Sequence, residues 1–187
     1  MSITIRIAGE AGQGVLTTGG LLVSALAEAG LNVLATRSYM SRIRGGLNWY
    51  DVRVGEAPLH AAARQADLLV AFTDAAMETL RGDVVDGGLI LYNGARAEGA
   101  VAIDLTGVAK EVGGSALYSN TVATGAVFAL LGYDLDELEA VLKKQFAKKG
   151  DEVAAANQAC ARKGAELAAV GTGRLRGPKP AGKAGCV

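Results

Sequence analysis

Ile3, Ile5 and Ile7 alternate with polar residues and lead directly into IAGEAGQGVL (7–16), which holds three glycines within six positions. A period of two that ends in clustered glycine predicts a strand closing in a tight turn. Over 15–29 the apolar positions recur at helical spacing until Gly30, and LNVLAT (31–36) reads as a second strand. Strand, turn, helix and strand in that order make a βαβ unit, the building block of parallel sheets. Further along, LNWYDVRVG (47–55) has strand character, APLHAAARQAD (57–67) reads as a short helix, and LLVAF (68–72) as a strand buried on both faces. A helical turn or two over 75–80, strands at 87–93 and 100–104 and a short helix over 105–112 complete the alternating part. After Ser119 only helices are predicted. NTVATGAVFALLG (120–132) is rich in small residues that suit close packing on a sheet, and 134–150 places acids first and lysines last, as the helix dipole favours. A last helix covers 151–170. The fold class expected is α/β: a mostly parallel sheet flanked by helices, with C-terminal helices after it.

From Gly171 the chain turns to glycine, proline and basic residues without an acid, which reads as a flexible tail or linker. The expected organisation is therefore one domain over 1–170 and a tail over 171–187, as befits a 187-residue chain. Lys plus Arg equals Asp plus Glu at 19 each, so no global field recruits nucleic acid or an anionic membrane. No apolar run is long enough to span a bilayer and the N-terminus has no leader pattern, so the expected location is the cytoplasm.

Catalytic groups are scarce. His60 is the only histidine, and neither Cys160 nor Cys186 belongs to a CxxC pair, so both read as free thiols. Asp67 and Asp74 flank the 68–72 strand, with Asp74 expected to cap the helix that follows. No pair of carboxylates or His–carboxylate cluster stands out, so neither a catalytic residue nor a metal ligand is assigned.

The chemistry that remains is anion binding. Gly9, Gly12 and Gly14 stand where a strand hands over to a helix, so backbone N–H groups converge at the helix N-terminus with no Cβ in the way. The spacing is neither the dinucleotide fingerprint nor a Walker A loop, and tight strand–helix packing explains the glycines equally well. At the end of the second strand stand Thr36 and Arg37 rather than the acid that holds an NAD ribose; an arginine suits the additional ribose phosphate of NADP or coenzyme A. The next stretch, RSYMSRIRGGLNWYDVR (37–53), sets Arg37, Arg42, Arg44 and Arg53 against the single acid Asp51, with Gly45 and Gly46 allowing a sharp turn. Two readings stand side by side: a phosphate cradle facing the glycine loop, or a subunit-facing loop with Tyr39, Met40, Trp49 and Tyr50 packed on a partner.

GEAGQGVLTTGG (9–20) and TRSYMSRIRGG (36–46), in that order, resemble the gamma subunit or gamma domain of the 2-oxoacid:ferredoxin oxidoreductases, and most of all the gamma part associated with the alpha chain of 2-oxoglutarate oxidoreductase. The resemblance continues through 66–80, 120–132 and 153–167. It implies a Rossmann-like unit that contributes coenzyme A binding and subunit contacts, not catalysis, to a complex converting a 2-oxoacid and coenzyme A to acyl-CoA, CO2 and reduced ferredoxin, with 2-oxoglutarate the favoured 2-oxoacid. Thiamine diphosphate and Mg are then expected on the alpha and beta partner subunits and iron–sulfur clusters on beta or a small ferredoxin-like subunit, with ferredoxin as the electron acceptor. By the same resemblance Gly9, Glu10, Ala11, Gly12, Gln13 and Gly14 line the coenzyme A phosphates, Arg37, Arg42 and Arg44 with Gly45 and Gly46 supply charge and a turn, and Asn120 assists from the start of its helix. Leu47 stands where fused members of the family carry a histidine. The resemblance fits both a separate gamma subunit and the gamma part of a fused alpha chain. The alternatives from the residues alone are a stand-alone NADP-binding reductase and a purely structural interaction module.

Overall fold

A computed structural model describes residues 1–39 and 46–179. A six-stranded sheet in the order β2-β3-β1-β4-β5-β6 forms its centre. The strands are β1 (Ser2–Glu10), β2 (Asn32–Tyr39), β3 (Leu47–Gly55), β4 (Ala66–Ala71), β5 (Val84–Asn93) and β6 (Val101–Ile103). The helices are α1 (Val15–Glu28), α2 (Asp74–Leu80), α3 (Leu105–Gly113), α4 (Ser119–Leu131), α5 (Leu135–Phe146) and α6 (Asp151–Ala168). This is the α/β class expected, with one refinement. β1, α1 and β2 do not make adjacent parallel strands, because β3 lies between them and runs antiparallel to both. The remaining pairs, β1–β4, β4–β5 and β5–β6, are parallel.

One sheet face carries the main core. Ile5, Ile7, Val52, Val54, Leu68 and Val70 meet Leu21, Leu22 and Leu26 of α1 and Phe128 of α4, all fully buried. The other face is smaller: Ala8, Leu69 and Ala71 pack under Ala76, Met77 and Leu80 of α2. The polar partners in the Ile3–Ile5–Ile7 alternation are nevertheless buried. Arg6, 5% exposed, donates from Nε and Nη2 to the two oxygens of Asp51 at 2.8 and 3.0 Å, from Nη1 to Asp83 at 2.8 Å, and to the Arg64 carbonyl at 3.2 Å. Its guanidinium also lies 5.7 Å from the centroid of the Trp49 ring. The Asp51 hydrogen bond outweighs burial and raises the Arg6 pKa above its ordinary value.

The helix expected over 57–67 is absent. Pro58 disfavours helical backbone at Ala57, and two carbonyls that a helix would use are taken by arginines: Ala61 accepts from Arg53 at 2.6 Å and Arg64 from Arg6. Asp74, expected to cap α2, does not; Thr73 does, accepting from the Ala76 N–H at 3.2 Å, while Asp74 accepts a hydrogen bond from the Tyr92 hydroxyl. That bond raises the Tyr92 pKa. α4 and α6 cross with their backbones in contact, because a Cβ on Gly125 would strike the backbone of Ala161 and one on Gly164 that of Val122.

Of the segment expected as a flexible tail, residues 171–179 are placed along the domain. Gly177 donates to the Leu131 carbonyl at 2.9 Å, and the Tyr133 hydroxyl to that of Pro178 at 3.0 Å. Burial raises the Tyr133 pKa, with the Glu56 charge adding to it. Glu56 accepts from the Lys179 N–H at 3.0 Å and from the N-terminal ammonium of Met1 at 3.1 Å. Both bonds pull its pKa below the ordinary value, the Lys179 amide more strongly. Among the described residues no helix is long and apolar enough to cross a membrane.

Candidate functional site

The glycine loop lies between the carboxyl end of β1 and the start of α1, at the carboxyl ends of the parallel strands, where ligands bind in open α/β folds. It is self-braced. The Glu10 N–H donates to Gln13 Oε1 at 2.7 Å, and the Gln13 N–H returns to the Glu10 carbonyl at 3.2 Å. Gln13 thus spends its oxygen on holding the turn. Gly9 has no room for a side chain: a Cβ would approach Gln13 Oε1 to 2.8 Å and Phe72 Cβ to 3.0 Å. Gly12 and Gly14 both have left-handed backbone, φ 90° and 81°. They differ in surroundings. A Cβ on Gly12 would meet nothing within 4 Å, whereas one on Gly14 would collide with the amide of Asn120.

Gly14 caps α1 without any side-chain hydrogen bond, and the first turn holds no acid. The first N–H groups of α1 are therefore left for an external acceptor, on the positive end of the helix dipole. A cavity of about 360 Å³ opens beside them. Its loop wall consists of Glu10, Ala11, Gly12 and Gly14; its other wall carries Leu16, Tyr39, Asn48 and Trp49. Leu16 and Tyr39 are 47% and 61% exposed, unusual for large apolar side chains.

The sequence-derived residues fall into three groups. Glu10, Ala11, Gly12 and Gly14 line the cavity, with Gly9 and Gln13 supporting the loop from behind. Asn120, at the start of α4, reaches the loop by resting on Gly14. Arg37 is not among the residues lining this cavity; it is exposed on β2 with its guanidinium 5.4 Å from the centroid of the Tyr50 ring. Gly46 immediately precedes β3, half-buried. Arg42, Arg44 and Gly45 lie outside the described residues. Arg53, grouped with them in the sequence, points elsewhere, its guanidinium on Ala61 and on Ser2 Oγ. Asp51, the single acid of that stretch, is occupied by Arg6.

Two features had no clear signal in the sequence. Asn48 and Thr17 are cavity walls that the sequence did not single out, Thr17 even though it lies within 9–20. A second cavity, about 390 Å³, lies on the other side of Thr17, between the starts of α4 and α6 and the end of α5. Cys160 is buried on α6 against Gly113, and burial pushes its thiol up to about 11, so it is unsuited to nucleophilic work. His60 is exposed. Among the described residues no group of three or more His, Cys, Asp or Glu could hold a metal.

Residues 4–167 match the family model described as pyruvate ferredoxin/flavodoxin oxidoreductase. The 2-oxoglutarate synthase subunit KorC of Archaeoglobus fulgidus is 31% identical over 156 residues, 82% of this chain and 83% of that one. The 2-oxoglutarate:ferredoxin oxidoreductase of Magnetococcus marinus, solved with 2-oxoglutarate, coenzyme A and succinyl-CoA bound, superposes with a TM-score of 0.84 at 31% identity. That match covers 96% of this chain and 33% of the longer one. The pyruvate oxidoreductase subunit PORC of Thermotoga maritima gives a TM-score of 0.75 at 25% identity, covering 88% and 96% of the two chains. The resemblance read from 9–20 and 36–46 is thereby borne out. With the match running through most of its length and the alternating sheet beneath it, the chain belongs to the pyruvate ferredoxin/flavodoxin oxidoreductase family.

Proposed function

We propose that this chain is the gamma component of a 2-oxoacid:ferredoxin oxidoreductase and that its glycine loop holds the phosphates of coenzyme A, the acyl acceptor. The observation that carries the proposal is the uncapped start of α1 beside a cavity walled by Gly12 and Gly14. Two left-handed glycines aim main-chain N–H groups outward and keep Cβ atoms away, as a pyrophosphate requires. Coenzyme A is bound in the Magnetococcus structure that this fold matches. The chain's own tasks are to bind and orient the carrier. Redox chemistry, with thiamine diphosphate, Mg and iron–sulfur clusters, falls to partner subunits, and ferredoxin takes the electrons. The 2-oxoacid is proposed to be 2-oxoglutarate, in line with the KorC relative.

The exposed Leu16 and Tyr39 at the cavity mouth suit cover by a partner subunit, which the thiol must reach. An NADP-binding reductase is less well supported, since it needs Arg37 at the loop and Arg37 is stacked on Tyr50 instead. Calorimetric titration of the full chain tests the proposal. Coenzyme A should bind, and Gly12→Leu, whose side chain enters the cavity, should weaken it by more than about tenfold while the fold persists by circular dichroism. Unchanged affinity in a folded Gly12→Leu variant would refute the loop's role.

A further inference from the structure

Asn93 and Gly94 form the one Asn-Gly pair of the chain. In such a pair the backbone nitrogen of the second residue attacks the asparagine amide most readily, since glycine puts no Cβ beside that nitrogen. Both residues are needed where they stand. Asn93 ends β5 and ties two neighbouring elements: its Nδ2 donates to the carbonyl of Phe72, just after β4, at 3.2 Å, and its Oδ1 accepts at 3.0 Å from the Leu105 N–H that opens α3. A flipped amide would set donor against donor and acceptor against acceptor, so the two bonds together fix its orientation. At Gly94 a Cβ would strike the Tyr92 ring, which is held in place by the bond from its hydroxyl to Asp74. This corner backs the glycine loop: the Phe72 N–H donates to the Ala8 carbonyl at 2.9 Å, and a Cβ on Gly9 would lie 3.0 Å from Phe72 Cβ. The contacts that demand these two residues also keep them from reacting. The Gly94 N–H is engaged by the Ile103 carbonyl at 3.0 Å. Asn93 pairs with Ile103 in the parallel β5–β6 ladder, so its backbone is extended, whereas ring closure needs the amide carbon eclipsed with the Gly94 nitrogen about the Cα–C bond.

We propose that Asn93 is a deamidation site, closed in the folded domain and opened when the corner between β5 and α3 loosens. In the reaction the Gly94 nitrogen, its proton lost to solvent base, bonds to Asn93 Cγ; the Cγ–Nδ2 bond breaks and ammonia leaves with a proton from water. Water then adds to either carbonyl of the cyclic imide and opens it to aspartate or isoaspartate. The aspartate formed is ionised at neutral pH and only accepts hydrogen bonds. It can still take the Leu105 N–H, but it meets the Phe72 carbonyl with a second acceptor where a donor stood. Isoaspartate in addition lengthens the main chain by a methylene at the last residue of β5. Each opening that runs to completion therefore leaves a permanent mark on the corner, one that the domain cannot repair by refolding.

The test incubates the full chain at pH 8, folded and in guanidinium chloride, and follows the tryptic peptide 82–96 by mass spectrometry. Conversion of amide to acid should be slower in the folded chain by more than about tenfold, because each of the three hydrogen bonds at the corner protects by a factor of about two to ten. Equal rates in the two states would overturn the proposal. Asn93→Asp, which installs the product at once, should lower the urea midpoint by about 1 M; a midpoint equal to that of wild type would overturn the claim that the acid cannot rebuild the corner. Gly94→Ala should lower the midpoint as well, and less so in a Tyr92→Ala background. Absence of that relief would show that position 94 is not held to glycine by the Tyr92 ring. Should any variant fail to fold, the comparison of folded and unfolded wild type still decides.

Discussion

Replacing Gly14 by alanine should cost far more than the same change at Gly12, although both glycines have nearly the same backbone. At φ 90° and 81° any Cβ brings a left-handed penalty of about 1–2 kcal/mol. For Gly12 that is the whole cost, since its Cβ would meet nothing within 4 Å. At Gly14 the three nearest atoms are Cγ, Oδ1 and Nδ2 of Asn120, all of which would be overlapped. Overpacking of this kind adds about 1–3 kcal/mol, so Gly14→Ala should lose about 2–5 kcal/mol in total. Because the three nearest atoms belong to one amide, Asn120→Ala should relieve the clash. Alone it should be nearly neutral in stability, since the amide it deletes has a buried oxygen with no partner. Urea unfolding of wild type, both single variants and the double variant gives the coupling directly. A coupling of about 1–3 kcal/mol in favour of the double variant is expected. Additive effects, or Gly12→Ala as damaging as Gly14→Ala, would refute the contact between loop and helix.

The Arg6 cluster should divide unequally: Asp51→Ala leaves a buried guanidinium short of its bidentate partner and should cost about 3–5 kcal/mol, whereas Asp83, half exposed, should cost no more than about 1 kcal/mol. Equal shifts in urea midpoint would contradict that division. In a Cys186→Ser background Cys160 should resist alkylation at pH 8 until the chain unfolds. Its folded pKa, about 11, lies above the ordinary 9.0, so its contribution to stability is complete below pH 9 and is lost as pH rises from 9 toward 11. Midpoints that stay flat over that window, relative to a Cys160→Ala control, would show otherwise. Glu56 shifts the opposite way: its contribution is present above its ordinary value of 4.5 and is lost only as pH falls through its lower folded value. The Lys179 amide resonance should follow that titration with a midpoint below 4.5; a midpoint at or above it would dissolve the clasp.

Much of the frame was legible in the sequence because strands and helices here obey local rules. LNWYDVRVG became β3 with the expected ends, and acids-first, lysines-last marked α5 and its following turn. What could not be read was which charge answers which. Asp51 sits two residues from Arg53 in sequence yet pairs with Arg6 across the sheet, because β1 and β3 are antiparallel neighbours with Arg6 opposite Asp51. That register depends on β3 inserting between β1 and β2, a long-range choice that no window of the sequence contains. The same holds for the site. Gly12 and Gly14 announce themselves as glycines before a helix, but the wall formed by Asn48 and Trp49 exists only once β3 has paired with β1, setting them opposite Gly9 and Ala8. The second cavity draws on the starts of α4 and α6 and the end of α5, and its Thr121–Asn157 floor spans two helices.

Glu56 grips Met1 and Lys179 together at the amino-terminal end of β1, while the glycine loop begins at the other end of that nine-residue strand, about 27 Å away. Met1 and Lys179 are thus held together at the end of β1 remote from the glycine loop. Removing the Glu56 carboxylate would therefore release both segments while leaving the bracing of the loop by Gln13 in place.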